Sequence, residues 1–197
     1  MTSPDVGGFS LRLAETADIP ALTALIDASA RMLSEGFYSR PQIDAAIRFV
    51  FGVDTNLIAD GTYYAAHAAE ELVGCGGWSW RRTLYGGDQR RVGSSDRLDP
   101  VSEAARIRAF FVSPAWARHG VGSALLRACT LAAQHAGYRE LELMSTLPGV
   151  PLYAARGFTP IEEVRDVLPD GTEILWVRMR QSIGSTVRGA RTPEQER

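Results

Sequence analysis

Apolar and polar positions along the first half of the chain repeat with two different periods, which predict strands and helices in turn. A period of two marks a strand over residues 9–14, and two further runs within residues 61–82 predict a hairpin that turns near Glu70. A period of 3.6 predicts helices over residues 16–33 and 39–52. Asp18 is the predicted N-cap of the first helix, which carries a proline in its first turn.

The second half of the chain is predicted to contain a strand, a helix and a strand in direct succession. Such a unit places its two strands parallel through a right-handed crossover, whereas the hairpins on either side are antiparallel. The sequence therefore predicts a mixed α/β fold, with a mostly antiparallel central sheet flanked by helices. The predicted elements are a strand over 104–112, a helix over 120–136, a strand over 139–145, a short helix ending at Gly157, and hairpin strands over 161–168 and 173–180.

Length and composition indicate one domain, since 197 residues with 45% apolar and 22% charged side chains are typical of a globular chain. We expect that domain to span residues 9–181, between a flexible N-terminus over residues 1–8 and a disordered tail over residues 182–197. Residues 83–99 are rich in Gly, Asp and Ser and are predicted to form a mobile loop. Whether this loop covers a substrate is left open.

Charge and cysteine usage exclude several classes of function. The net charge of −2 and the lack of a basic stripe argue against nucleic-acid binding, and no apolar run reaches the roughly 20 residues of a membrane helix. Cys75 and Cys129 lack metal-binding or redox spacing, so no metal is expected. The first residues lack the features of a signal peptide, and we therefore expect a cytoplasmic protein with reduced thiols.

A glycine-containing loop joins the strand that ends before Pro114 to the helix that follows, in the stretch VSPAWARHGVGSALL. The first N–H groups of a helix lack internal partners, so such a loop predicts an anion site. A nucleotide P-loop is excluded because no lysine follows Gly122, and the dinucleotide fingerprint is excluded because Leu125 stands at its third glycine.

The same stretch resembles motif A of the GNAT superfamily of N-acetyltransferases, V-x-P-x-x-[QR]-x-x-G-x-[GA]. Pro114, Gly120 and Gly122 match this pattern. Ala117 departs from it, since the family usually has Gln or Arg there, and Arg118 is the expected substitute cation. Backbone N–H groups carry most of such an anion site, so the departure leaves the side-chain contact open rather than the site itself.

A second segment, PLYAARGF, resembles motif B of the same family, in which a tyrosine precedes a Gly-Phe pair. The element order over residues 9–180 agrees with the GNAT fold, which splays two parallel strands. The resemblance implies direct transfer of an acetyl group from acetyl-CoA to a primary amine of a small molecule or peptide, through a ternary complex and without a metal.

The resemblance also implies how the cosubstrate is held. Backbone amides of residues 117–123 would bind the pyrophosphate, and pantetheine would lie between the splayed strands near residues 110–112 and 143–145. A backbone N–H near Phe110 or Phe111 would polarise the thioester carbonyl. The cofactor-binding candidates are Phe110, Phe111, Val112, Ala117, Arg118, His119, Gly120, Val121, Gly122, Ser123, Thr146 and Tyr153.

The resemblance implies that Tyr153 is the general acid. A phenol suits this role because it is protonated at neutral pH. The alternative is a tyrosine that only packs on the sheet. Glu103 is the candidate general base, with Glu142 and a chain of water molecules as alternatives. His67 is interpreted as a surface or core residue of its strand, and His119 as a loop cation near the phosphate. His135 lies near a helix C-terminus, where a histidine is favourable.

The acceptor amine is predicted to contact Tyr38, Trp78, Trp80 and Arg106, in a region that also contains Arg31, Phe37 and Tyr85. Trp78 and Trp80 are two residues apart and should share one strand face, either as an aromatic wall for a cation or flat ring or as core packing.

Two other functions remain open from the sequence: a non-catalytic acyl-CoA-binding or sensor module of the same fold, and a structural protein that dimerises. The final hairpin could pair between two chains, so a homodimer is one expectation. The acceptor amine, the acyl chain length and the oligomeric state are not specified by the sequence.

Overall fold

The computed structural model describes residues 8–90 and 96–184. Most of the predicted flexible N-terminus and tail, and residues 91–95 of the predicted loop, lie outside these ranges. The predicted start of the tail at residue 182 lies too early in the chain. Ser182 still belongs to the last strand, and the Ile183 N–H donates to the carbonyl of Arg139 over 2.9 Å. Within the described ranges, no helix combines the length and apolarity needed to cross a membrane.

Seven strands form one sheet in the order β1-β2-β3-β4-β5-β7-β6. Neighbouring strands are antiparallel except β4 and β5, which are parallel, as the crossover predicted. The strands are β1 Ser10–Leu13, β2 Tyr63–Ala68, β3 Glu71–Ser79, β4 Ala105–Val112, β5 Glu140–Ser145, β6 Thr159–Val167 and β7 Glu173–Ser182. The helices are α1 Ile19–Leu33, α2 Arg40–Phe49, α3 Thr55–Ala59, α4 Val121–His135 and α5 Val150–Ala154. The predicted mixed, mostly antiparallel sheet flanked by helices is thereby confirmed.

Glycines in β3 allow α4 to pack closely on one face of the sheet. A Cβ on Gly74 would lie 2.5 Å from Cγ1 of Val121, and a Cβ on Gly76 would lie 2.6 Å from the Phe110 ring. The opposite face, where Cys75 points, is covered by α1 and α3 through Leu22, Ile26 and Leu57. The sheet is therefore a central layer between helices.

β4 and β5 are paired only at Ala105–Leu141 and Arg106–Glu142 before they diverge. A bulge in β4 accompanies the divergence, because Gly76 of β3 is opposed by both Ala109 and Phe110. Ala109 has φ +55°, a left-handed conformation that costs an L-residue roughly 1–2 kcal/mol. The expected splayed parallel pair is confirmed, and the cleft between the strands holds the candidate site.

Two local features near the N-terminal helices differ from the sequence-based expectation. Asp18 occupies the predicted N-cap position of α1, but its carboxylate makes no capping bond to the helix; it accepts from Arg12 at 2.7 Å and from the Glu15 N–H at 2.8 Å. The short helix α3 was not predicted, because five residues are too few to show a helical period.

The described parts of the predicted mobile loop, residues 83–90 and 96–99, are bonded to the rest of the fold. The Gly87 N–H donates to the Val50 carbonyl over 2.8 Å, and residues 88–90 form a 3-10 turn. Leu98 is buried, and its N–H donates to the Trp80 carbonyl over 2.7 Å. The interpretation as a mobile loop is therefore wrong for residues 83–90 and 96–99.

Candidate functional site

A cavity of about 220 Å³ opens where β4 and β5 diverge. One end, here called the helix end, is formed by α1, the end of β4 and the segment around α5, and includes Ser29, Val112, Thr146, Leu152 and Tyr153. The other, the loop end, is formed by the α2–α3 connection, the turn after Tyr85, and β7, and includes Val50, Phe51, Tyr85, Gly86, Arg108 and Trp176. Phe110 and Phe111 line the wall that joins the two ends.

Close backbone contacts shape the helix end. A Cβ on Gly149 would lie 2.9 Å from Ser145 Oγ, so only glycine lets this turn approach β5 so closely. The Val112 N–H, at the end of β4, donates to Ser29 Oγ of α1 over 3.3 Å. The turn and helix α1 therefore enclose the end of the cleft from two sides.

Tyr153 projects from α5 into the helix end and is only 8% exposed. Its ring packs edge-to-face against Phe110, with centroids 6.2 Å apart, and against Phe158 at 5.7 Å. The hydroxyl has no hydrogen-bond partner among residues 8–90 and 96–184. Burial raises the pKa of the phenol well above its ordinary value, so it holds its proton at neutral pH.

The turn before α4 presents unpaired backbone donors. Arg118 has φ +67° and Gly120 has φ +86°, and left-handed residues within such a turn create the concave set of N–H groups that binds anions. The first N–H group of α4 that has a backbone acceptor is that of Ala124, which donates to the Gly120 carbonyl over 3.0 Å. The N–H groups of residues 121–123 have no backbone acceptor in the described parts of the chain.

Residues 117–123 border the cavity without lining it. Gly122 is the point where this turn meets the cavity wall. A Cβ at Gly122 would lie 3.0 Å from Leu152 and 3.7 Å from Val112, both of which line the helix end. Arg156 also reaches this helix terminus, and its Nε donates to Ser123 Oγ over 3.2 Å. Arg156 was not predicted from the sequence. Its position three residues after Tyr153, in motif B, was the signal that could have indicated it.

The loop end contains a buried ion pair that the sequence did not indicate. Nη2 of Arg108 lies 2.8 Å from Oδ2 of Asp54, and both side chains are less than 5% exposed. The same nitrogen donates to the Gly86 carbonyl over 2.6 Å. Burial lowers the pKa of Arg108 and raises that of Asp54, while their mutual attraction opposes both shifts.

Aromatic rings enclose the rest of the loop end. Phe51 packs on Phe111 and Trp176 with centroids 5.6 and 5.8 Å apart, and Tyr85 lies 6.1 Å from Trp176. Asp166 of β6 holds this wall in place, because it accepts from the Tyr85 hydroxyl over 3.0 Å and pairs with Arg90 at 2.7 Å. Tyr85 is thus the member of the predicted acceptor region that the structure places at the cavity.

The four named acceptor-binding candidates do not line the cavity. The Tyr38 hydroxyl is already bonded, donating to the Leu175 carbonyl over 2.7 Å and accepting from the Leu147 N–H over 2.9 Å. Trp78 and Trp80 do share a face, with centroids 5.3 Å apart, but that face packs in the core under α4. Arg106 is half-buried and pairs with the buried Glu142 at 2.9 Å.

The two glutamates considered as general base are also held elsewhere. Glu103 pairs with Arg82 at 2.6 Å and accepts from the Asp99 N–H over 2.9 Å, and these bonds lower its pKa. Glu142 lies between Arg106 and Arg178. Neither glutamate lines the cavity, so neither is placed to take a proton there. The described residues contain no group of three His, Cys, Asp or Glu side chains able to hold a metal ion.

Comparison with known proteins agrees with this geometry. The model of the acetyltransferase (GNAT) domain matches residues 59–160, which is more than half of the chain. No curated protein sequence matches the chain.

Several solved structures share the fold. A GCN5-related N-acetyltransferase from Rhodopseudomonas palustris is 19% identical with a TM-score of 0.64, over 92% of this chain and 98% of that one. The PaiA N-acetyltransferase from Thermoplasma acidophilum, solved in complex with coenzyme A, is 16% identical with a TM-score of 0.60, over 88% and 98%. YncA from Salmonella typhimurium, solved with its cofactor acetyl-CoA, is 15% identical with a TM-score of 0.59, over 91% and 96%. With the domain match across β2 to α5 and the splayed β4–β5 pair, the chain belongs to the GNAT acetyltransferase family.

Proposed function

We propose that this chain transfers the acetyl group of acetyl-CoA directly to a primary amine, with both substrates bound at once. The observation that carries this proposal is a single cleft between splayed strands, with unpaired helix amides beside one end and a buried phenol inside it. The complexes of PaiA with coenzyme A and of YncA with acetyl-CoA, which share the fold, support the choice of cosubstrate.

The residues at the start of α4 fit a diphosphate. The free N–H groups of residues 121–123 and the left-handed residues Arg118 and Gly120 form a concave donor set, and the helix dipole adds about 0.3–1 kcal/mol of attraction for an anion. Arg118 and Arg156 are two exposed cations beside this set. Arg118, together with Arg156, would supply the charge that Ala117 lacks.

The cleft fits an extended chain with amide groups, because β4 and β5 are not paired with each other beyond Arg106 and Glu142. Residues 110–112 and 143–145 would bind such a chain through their backbone, and an N–H near Phe110 or Phe111 would polarise the acyl carbonyl. When bound there, acetyl-CoA supplies an activated acyl carbon and a thiolate leaving group.

Tyr153 is proposed as the general acid that protonates the departing sulfur. Its raised pKa keeps the proton available at neutral pH, and its hydroxyl is not engaged by another described residue. Because the candidate glutamates are held by arginines, the proton of the acceptor ammonium is released to water in this proposal.

The first experiment is isothermal titration of the protein with CoA and acetyl-CoA. We expect micromolar binding, weakened about two- to fivefold by Arg118→Ala and by Arg156→Ala. Arg127→Ala provides a matched control, because Arg127 is exposed on the same helix, away from its N-terminus. A folded protein that binds neither ligand would refute the proposal.

The second experiment measures release of free thiol from acetyl-CoA with a panel of primary amines. Tyr153→Phe should lower kcat about a hundredfold or more while CoA affinity and thermal stability stay unchanged, since the hydroxyl makes no hydrogen bond with the described residues. An unchanged kcat would exclude Tyr153 as the acid.

The departure at Ala117 favours one alternative, a non-catalytic acyl-CoA-binding module. Tight binding of acetyl-CoA without thiol release for any amine would support that alternative over the enzyme.

A further inference from the structure

Arg108 has hydrogen-bonding capacity that the protein does not use. Its single hydrogen bond to the described residues and its ion pair with Asp54 both use Nη2. Nε is buried without a partner, and Nη1 makes no bond to any residue within 8–90 and 96–184. Nη1 is not among the fully buried atoms, so its two N–H groups remain for a ligand in the cavity that Arg108 lines.

The position of this side chain is fixed from several directions. Asp54 is itself held as the N-cap of α3, where its carboxylate accepts from the Asn56 N–H over 3.2 Å. Gly86 is followed by Gly87, whose N–H donates to the Val50 carbonyl. Arg108 is therefore a rigid donor, and leaving buried donors unpaired costs free energy that an oxygen acceptor in the cavity would recover.

Charge decides which kind of oxygen this site favours. The positive charge of Arg108 is already balanced by the Asp54 carboxylate 2.8 Å away. Asp88 adds a second negative charge that acts on both residues, and the nearby Arg81 is paired with Asp60 at 2.6 Å. A ligand carboxylate would be a third anion around one buried cation, whereas a neutral carbonyl oxygen accepts the same hydrogen bonds without that repulsion.

The remaining surface of the loop end is apolar. Phe51, Phe111, Met144 and Trp176 line it, so it suits an aromatic or aliphatic group. Arg108 is two residues from Phe110, at most about 7 Å along the strand, so a carbonyl bound to Arg108 would lie close to the proposed acyl site.

We propose that the acceptor is an amine with an apolar side chain and a neighbouring neutral carbonyl, as in an amino amide or peptide N-terminus, and that Arg108 binds this carbonyl. This inference rests on the proposed function, because that function makes the loop end the place of the acceptor. Arg108 would then determine specificity, selecting amides over free amino acids and over simple amines.

The test uses three ligands that share the amine and the aromatic side chain and differ only in the other group on the amine-bearing carbon: a carboxamide in L-phenylalaninamide, a hydrogen in phenethylamine and a carboxylate in L-phenylalanine. Each is titrated calorimetrically into the 197-residue chain, with saturating CoA and again without it. We expect the amide to bind at least about tenfold more tightly than either of the other two, the value of one hydrogen bond to a charged group. Equal binding of amide and amine, tighter binding of the amino acid, or no binding of the amide would overturn the inference.

Variants show whether Arg108 causes the preference. Asp54→Asn/Arg108→Met removes the donors without leaving an unpaired charge, and the amide preference should fall to about onefold with unchanged CoA affinity. Asp60→Asn/Arg81→Met is the matched control, since that pair does not line the cavity, and it should keep the preference. A preference that survives in the first variant would contradict the role of Arg108.

If the first variant does not fold, the three wild-type titrations still decide the inference. Failure of CoA to bind would count against the proposed function, whereas the titrations without CoA address the amide preference itself.

Discussion

Replacing Asp54 by Asn is expected to destabilise the protein more than its small change in shape suggests. Asn keeps the size of the side chain and can still cap α3, because Asn and Asp are equally good N-caps. The change therefore removes mainly the negative charge that balances Arg108. The guanidinium, 4% exposed, would remain buried with no carboxylate beside it at 2.8 Å.

Removing one partner of a buried pair typically costs 3–5 kcal/mol, roughly, since the remaining charge cannot be solvated. Because Asp54 Oδ2 accepts no hydrogen bond from Arg108, the substitution removes charge alone, and we expect the lower end, about 3 kcal/mol. For a chain of this length, such a loss lowers the Tm by roughly 6–12 °C.

Urea denaturation followed by tryptophan fluorescence and by circular dichroism measures this loss, provided that both signals give the same midpoint. Asp60→Asn is the matched control, since Arg81 and Asp60 are even closer, at 2.6 Å, but Arg81 is 26% exposed, and we expect it to cost about 1 kcal/mol. The double variant Asp54→Asn/Arg108→Met should recover most of the stability. Equal losses for Asp54→Asn and Asp60→Asn would refute the reasoning.

Three further predictions concern stability and thiol chemistry. Gly74→Val should lower the free energy of unfolding by about 1–3 kcal/mol in urea, since the added side chain overlaps Val121, and an unchanged value would contradict the packing of α4. Cys75 and Cys129 should react with Ellman's reagent only after unfolding, because burial raises both thiol pKa values, that of Cys75 to about 12. The arginine partner of Asp18 lowers its pKa from 3.8 to about 2, so this carboxylate stabilises the fold above pH 4 and less as the pH falls toward 2. The stability deficit of Asp18→Asn should therefore be full at pH 6 and shrink below pH 4, and a deficit independent of pH would exclude this charge effect.

Much of the fold was predictable because its signals are local. The order of strands and helices along the chain and the crossover through α4 follow from periodicity, whereas the splayed strand pair and the place of Tyr153 beside it were implied by the family resemblance of two short motifs. Ala109 gave no signal, because alanine has no preference for a left-handed conformation; the register of β3 against β4 imposes it. The ion pair between Asp54 and Arg108 also had no sequence signal, because it depends on how two distant segments of the chain meet in the fold.

The predicted acceptor site failed for a different reason. Alternation correctly placed Trp78 and Trp80 on one face of a strand, but it does not say which helices cover that face. Tyr38 was named for its place between the first two helices, but the fold uses its hydroxyl to join β7 to the segment before α5. Exposure and hydrogen-bond saturation decide which side chains are available to a ligand, and both are set by tertiary packing.

The short seam between β4 and β5 divides the sheet into two leaves, β1-β2-β3-β4 and β5-β7-β6. Antiparallel ladders, interrupted by single bulges, hold each leaf together, while only two residue pairs join the leaves. A change in the angle between the leaves would therefore break few backbone hydrogen bonds. The width of the cleft is therefore set by the side chains and helices that cross it. An extended molecule that hydrogen-bonds to the open edges of both β4 and β5 would take the place of a strand between them and fix the angle between the leaves.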